Sequence, residues 1–281
     1  MGGNPFERSE GRRVHAWPTQ CELFDDVTGI WTKLPDITTM RNRYPGIAVV
    51  RRGECHRIYV FGGDDNNWIT LNSCEFLDIG EKQSEWSRLP DKMATCRRFT
   101  SAVILDRNTI VVCGGDMGDK KGLASCEALD LATHTFSQFP DMLEGRRVHA
   151  GVHYNGTIVV IGGVGSKTCE QFDPSSLKWT PIASLDEERH DIGAAVIENM
   201  IYIAGDNCPY IEAYNGVVWS VVVVDVPTPR DCGSVIALSG KLVVIGGTTG
   251  EIDVFDVDTR AWSKIPRMFQ FRRTELAVVS F

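Results

Sequence analysis

The 281-residue sequence predicts an all-β chain of six repeated units, each of four short antiparallel strands, closed into a six-bladed β-propeller. Three observations predict it. A β-branched strand ending in two glycines recurs as Ile58-Tyr59-Val60-Phe61-Gly62-Gly63, Ile110 to Gly115, Thr157 to Gly163 and Leu242 to Gly247, while Ile201 to Gly205 keeps one glycine. β-branched and aromatic side chains suit a buried pleated surface, and glycine marks a sharp turn or a close backbone approach. A second series, Trp31, Trp86, Phe136, Trp179, Trp219 and Trp262, recurs every 40 to 55 residues and sets the count at six. No long helical period interrupts either series.

Each unit reads in one order. The first strand follows an arginine, as in Val148 to Tyr154, and the second ends at the glycines. Between them, Asn155-Gly156 is a strong two-residue hairpin signal, and Ser239-Gly240 marks a comparable turn. The third strand carries two acidic or amide residues around an apolar one: Glu22 to Asp25, Glu75 to Asp78, Glu127 to Asp130, Glu170 to Asp173, Glu212 to Asn215 and Asp253 to Asp256. The fourth opens at the aromatic and ends near Pro35, Pro90, Pro140, Pro181 or Pro266, an edge position where a missing N–H is tolerated. The sixth unit is split. Gly2-Gly3, Glu22 and Trp31 stand at the start of the sequence, and Arg273 to Phe281 reads as a first strand at its end, so pairing the two ends would close the ring. The apolar strand expected before Gly2-Gly3 is missing, which predicts a defective closing blade, with Arg12 to Ala16 as a substitute.

These columns together resemble kelch repeats: the double glycine, the Glu-x-aromatic-Asp segment, the tryptophan and the arginine before the first strand. WD40 repeats fit less well, because no Gly-His or Trp-Asp dipeptide recurs at the required places. The resemblance covers residues 1–281 as one domain and implies a protein-interaction module. Many kelch propellers select substrates for ubiquitin ligases through a separate adaptor domain; others bind actin or organise cell structure. No adaptor domain is in this sequence, so the chain is expected to be part of a longer protein.

Composition narrows the functional classes. A net charge of −8 opposes general nucleic-acid binding, which needs a basic surface to displace counterions. No apolar run approaches the ~20 residues of a membrane helix, and the start lacks the plan of a signal peptide. Of nine cysteines, Cys21, Cys74, Cys126 and Cys169 each precede an acidic residue at the same repeat position, which places them too far apart for bridges. They read as reduced, buried small hydrophobes. The expected location is therefore cytoplasmic, with the nucleus as the alternative. No Cys-x-x-Cys pair, nucleophile–base arrangement or phosphate-binding glycine loop occurs, so no catalytic residue, metal or cofactor is assigned.

The candidate binding residues are an arginine column and three aromatics. Arg43, Arg98, Arg147, Arg189 and Arg230 precede the second glycine of their units by 16 to 20 residues, and Arg273 belongs to the split unit. In the blade topology that the resemblance implies, this column rings the mouth of the central channel. Guanidinium groups pair bidentately with carboxylate or phosphate, so the ring suits an acidic or phosphorylated protein or peptide partner. The same arginines equally suit ties between units, since Asp36, Asp91 and Asp141 precede three of them. Trp17 and Trp68 lie in long loops outside the core aromatic series, and Tyr210 lies in a shorter one; exposed aromatics beside arginine are typical of binding hot spots. Two other readings stay open: a kelch-like enzyme acting at the channel mouth on a sugar or small acidic molecule, and a structural or cytoskeletal scaffold.

Overall fold

The computed structural model describes residues 19–80, 84–206, 208–223, 226–227, 233–246 and 252–265. All regular structure among them is β. A two-stranded sheet, β1 (Cys21–Asp25) and β2 (Ile30–Leu34), comes first. Blade 1 follows with β3 (Gly46–Arg52), β4 (Cys55–Phe61), β5 (Cys74–Ile79) and β6 (Ser87–Arg88). Blade 2 holds β7 (Ser101–Asp106), β8 (Thr109–Cys113), β9 (Cys126–Asp130) and β10 (Thr135–Phe139). Blade 3 holds β11 (Ala150–Tyr154), β12 (Thr157–Ile161), β13 (Cys169–Asp173) and β14 (Lys178–Ile182). Blade 4 holds β15 (Ile192–Ile197), β16 (Met200–Gly205), β17 (Ile211–Tyr214) and β18 (Trp219–Val223). Blade 5 holds β19 (Gly233–Leu238), β20 (Lys241–Gly246), β21 (Ile252–Asp256) and β22 (Trp262–Ile265). Each blade is an antiparallel meander in sequence order.

Five complete blades therefore stand where six are expected. The sixth sector is represented among the described residues by the β1–β2 pair alone. Trp31 packs against Val243, Ile245 and Val254 of blade 5, while Cys21 and Leu34 pack with the Val49, Leu77 and Trp86 cluster of blade 1. The pair is a third and fourth strand that bridges the last blade to the first. Gly2-Gly3, Arg12 to Ala16 and Arg273 to Phe281, on which the expected closure turned, lie outside the described residues.

Local chemistry explains the blades. Tyr154 and Thr157 are paired across Asn155-Gly156, whose φ angles of 49° and 81° give the left-handed turn that this dipeptide favours. Outside blade 1, where Asp78 pairs with Arg57 instead, the last acidic or amide residue of the segment caps the turn after the third strand: Asp130 Oδ1 accepts from the N–H groups of Ala132 and Thr133, and Asp25 and Asn215 do the same in their units. The aromatic column holds neighbouring blades together. Trp86, Trp179 and Trp219 donate their indole N–H to the carbonyls of Pro35, Pro140 and Ala183 in the preceding unit, at 2.9 to 3.0 Å. The eight cysteines among the described residues are unbridged thiols. Burial pushes the Cys74 thiol up to about 12 and that of Cys169 to about 11, which keeps both protonated and inert.

The double glycine is a latch between blades. The N–H groups of Gly63, Gly115 and Gly163 each donate at 2.8 Å to a backbone carbonyl of the next blade's entry, those of Arg97, Arg146 and Arg189. The preceding glycine lies so close to that carbonyl that a Cβ on Gly62 would stand 2.0 Å from it, and one on Gly162 2.3 Å. No other residue fits there.

Trp179 is buried against Phe172 in the interface between blades 2 and 3. Trp179→Ala should cost about 3–5 kcal/mol, because it removes a large ring and leaves a cavity. Chemical denaturation monitored by far-UV circular dichroism checks this, and a loss below ~1 kcal/mol would contradict the packing role.

Candidate functional site

Successive first strands β3, β7, β11, β15 and β19 pack side by side around a central cavity of about 160 Å³, lined among others by Tyr44, Phe99, Ser101, His149, Asp191 and Ser234. At one mouth of this channel the segments leading into the first strands form a chain of backbone hydrogen bonds. Phe99 donates to Arg43, Val148 to Phe99 and Asp191 to Val148, at 2.9, 3.1 and 3.2 Å. All four residues have positive φ, between 51° and 58°. These equivalences fix the register of the arginines, and the single column expected from spacing separates into three positions.

The first position is buried. Arg41, Arg97, Arg146 and Arg189 sit here, each with its guanidinium between the second and third strands of its own blade. Arg97 Nη1 donates to the carbonyls of Gly114 and Ser125, and its Nη2 pairs with Glu127 at 3.0 Å; Arg41–Glu75 and Arg146–Glu170 repeat the geometry. Arg189 pairs with Glu212 at 2.7 Å and reaches the Gly205 carbonyl. Its placement beside Arg43, Arg98 and Arg147 is thus corrected. Ile203 pairs with Glu212 as Val160 does with Glu170, so Gly205 occupies the first glycine position, and counting from it as the second slipped Arg189 by one residue. Burial opposes ionisation of Glu212 and outweighs the pull of Arg189, so its pKa is raised.

The second position holds Asn42, Arg98, Arg147 and His190, and the third holds Arg43. Here the side chains build a ladder of alternating charge. Arg43 Nε lies 3.3 Å from Asp64 Oδ2, Arg98 bridges Asp64 and Asp116 at 2.8 and 2.7 Å, and Arg147 Nε stands 3.9 Å from Asp116 Oδ2. Both aspartates are fully buried. Burial works against the charge on Arg98, but the hydrogen bonds to Asp64 and Asp116 outweigh it and raise its pKa. Arg98 and Arg189 are therefore internal ties and do not form an open ring. Arg43 and Arg147 keep 31% and 21% of their side chains exposed, and these two reach the surface. Arg230, Arg273 and Trp17 lie outside the described residues.

Trp68 meets the expectation of an exposed aromatic. It is 47% exposed and has φ of 63°, with the Arg43 guanidinium 4.7 Å from its ring. Asp65 fixes the loop beneath it by accepting hydrogen bonds from the N–H groups of Asn67 and Ile69. A cation over an indole with both partners held in place is a pre-formed contact surface. Tyr210 lies apart from this cluster, half-buried under the Arg189 guanidinium at 5.2 Å. A hydrogen bond with Cys208, and then burial, push its hydroxyl up to about 12.

Spacing did not reveal the apolar members of this face. Ile69, Met117 and Val164 are exposed on the connections between second and third strands of blades 1, 2 and 3, the same connections that carry Trp68 and the aspartates. The signal was the residue after the double glycine: Asp64, Asp116, then Val164.

On the channel wall His149 Nε2 and Ser101 Oγ form a polar pair at 3.0 Å. Burial, and then Arg146, bring the His149 pKa down to about 3, so the imidazole is neutral at physiological pH. Its Nδ1 has no hydrogen-bond partner among the described residues, so the pair lacks the orienting acid of a nucleophile triad. Because the unfolded histidine titrates near 6.5, His149 contributes stability that is fully present above that pH and lost as pH falls towards 3. Thermal melts between pH 7 and 4 should therefore fall more steeply for the wild type than for His149→Gln; parallel curves would contradict the buried neutral form. Arg97→Ala should cost about 3–5 kcal/mol in denaturant unfolding, since it strands the Glu127 carboxylate inside blade 2.

Comparison with known proteins agrees with this geometry. A family model described as the KLHDC2/KLHL20/DRC7 Kelch-repeats domain matches residues 9–206, and a Kelch motif model matches residues 229–269. The spermatocyte protein spe-26 of Caenorhabditis elegans is 28% identical over 264 residues, covering 85% of this chain and 45% of that protein. Kelch-like protein 23 of Pongo abelii is 28% identical over 243 residues, 79% of this chain and 41% of that protein. The F-box/kelch-repeat protein At1g80440 of Arabidopsis thaliana is 29% identical over 196 residues, 66% of this chain and 54% of that protein. The chain thus spans about half the length of these relatives. Latched blades, buried arginine–glutamate pairs and family match lead to one conclusion: this chain belongs to the kelch-repeat family.

Proposed function

We propose that the chain is a protein-interaction propeller that captures a partner protein on the channel mouth over blades 1 to 3. The observation that carries this reading is the juxtaposition of Trp68, held over Arg43 on an ordered loop, with exposed Ile69, Met117 and Val164 around the partly exposed Arg43 and Arg147. Aromatic and arginine anchors with an apolar surround are the composition of binding hot spots, and loops on a rigid scaffold are where such residues concentrate. The arginines favour an acidic segment in the partner. Selection of substrates for a ubiquitin ligase is consistent with this role: the propeller holds the substrate, and a further part of a longer protein engages the ligase. The unbridged cysteines among the described residues suit the reducing cytoplasm or nucleus.

The test is affinity purification with quantitative mass spectrometry of wild type and of the double variant Trp68→Ala/Ile69→Asp. Both side chains are exposed, so the variant should melt within a few degrees of wild type yet lose its specific partners about tenfold. A folded variant with an unchanged partner profile would sink the reading.

A further inference from the structure

The charge ladder at the mouth ends without a final carboxylate. In blades 1 and 2 the residue after the double glycine is an aspartate that pairs with arginines on both sides: Asp64 with Arg43 and Arg98, Asp116 with Arg98 and, more loosely, Arg147. In blade 3 that place is taken by Val164, whose N–H donates to the Arg147 carbonyl at 3.1 Å. Among the described residues Arg147 consequently pairs with no carboxylate on its far side. Its guanidinium makes no hydrogen bond among the described residues, and its one ionic neighbour, Asp116 Oδ2, lies beyond hydrogen-bond distance at 3.9 Å. That oxygen is itself fully buried and accepts no hydrogen bond among the described residues. Every other described arginine of the mouth has an ion pair within 3.3 Å.

We infer that Arg147 is the anion-reading position of the mouth: it takes an aspartate or glutamate side chain of the partner, beside an apolar residue that packs on Val164 and Met117. The inference rests on the mouth being the partner-binding face and names which residue reads the partner's charge. A carboxylate fits better than a phosphate. The site offers one guanidinium with a buried aspartate behind it, which matches a single negative charge; a phosphate dianion calls for several cationic donors. An apolar partner residue seated on the exposed Val164 and Met117 excludes water from one side of the pair, where a bidentate guanidinium–carboxylate contact gains strength.

Phage-displayed random short peptides selected on the full chain, with binding of the selected peptides measured by fluorescence polarisation, test this. Aspartate or glutamate next to an apolar residue should be enriched, and changing that acid to its amide should weaken binding about tenfold or more. The decisive variant is Val164→Asp, which puts a carboxylate where Asp64 and Asp116 stand in the preceding blades. It should engage Arg147 internally, leave the melting temperature equal or higher, and weaken acidic peptides about tenfold. Acidic peptides that bind Val164→Asp as tightly as wild type, or a selection with no acidic enrichment, overturn the proposal. Tighter binding when the acid is replaced by phosphoserine overturns the carboxylate assignment. Peptides weakened by Trp68→Ala but not by Val164→Asp leave the mouth as the binding face and refute Arg147; peptides weakened by neither refute the mouth as well.

Discussion

The structure depends on an arginine held inside each of blades 1 to 4. Its guanidinium satisfies the carbonyls at the end of the second strand and pairs with the glutamate of the third, as Arg97 does with Gly114, Ser125 and Glu127. In blades 2 to 4 the backbone carbonyl of the same residue accepts the latch hydrogen bond from the preceding blade's glycine. One residue thus fixes geometry within a blade and contact between blades. A buried charge is tolerable because most of the guanidinium donors find an acceptor, Arg41 Nε and Arg189 Nε being exceptions, and the second glutamate oxygen is used too: Glu127 Oε2 accepts from Ala94 N and Glu170 Oε2 from Leu143 N. The connection from one blade to the next is therefore clamped by the carboxylate that neutralises the arginine.

Once those arginines are fixed, the residues after them have little freedom. Their backbone is turned into the positive-φ region, and their side chains are delivered to the channel mouth in regular order. What varies there is chemistry. Blades 1 and 2 supply aspartates that join neighbouring arginines, blade 3 supplies a valine, and blade 4 places Asp206 at the second glycine position, near His190 and Arg189. The scaffold spends its charges internally on most of the ring and leaves a small sector, over blades 1 to 3, where cationic and apolar groups share an open surface. Such a sector suits selective capture better than a uniformly basic ring, which would attract any acidic surface and be screened by salt.

The blade pattern was legible because it follows from local chemistry repeated in register. Asn155-Gly156 makes its turn, acids such as Asp130 cap the turn that follows their segment, and the tryptophans occupy one interface position. Positions within the mouth were less legible. Arg189 and Arg98 look alike in spacing, yet a missing glycine shifts one against the other, and one residue separates a side chain sealed between strands from one that faces the channel mouth. The apolar partners Met117 and Val164 carried no repeat signal of their own, because surface chemistry varies between blades while core spacing does not.

By itself the sequence determined the all-β repeat, its four-strand units, the hairpin turns, the recurring aromatic series and the family, all of which depend on contacts between residues close along the chain or on a period that recurs. The tertiary structure decided that five blades are complete, and that the first sheet is a two-stranded bridge between the last blade and the first. It also decided which arginines are used up inside and which reach the surface. That difference has a physical reason. Whether a guanidinium is satisfied depends on carboxylates that arrive from other strands and other blades, and spacing along one chain does not encode who meets whom across the ring.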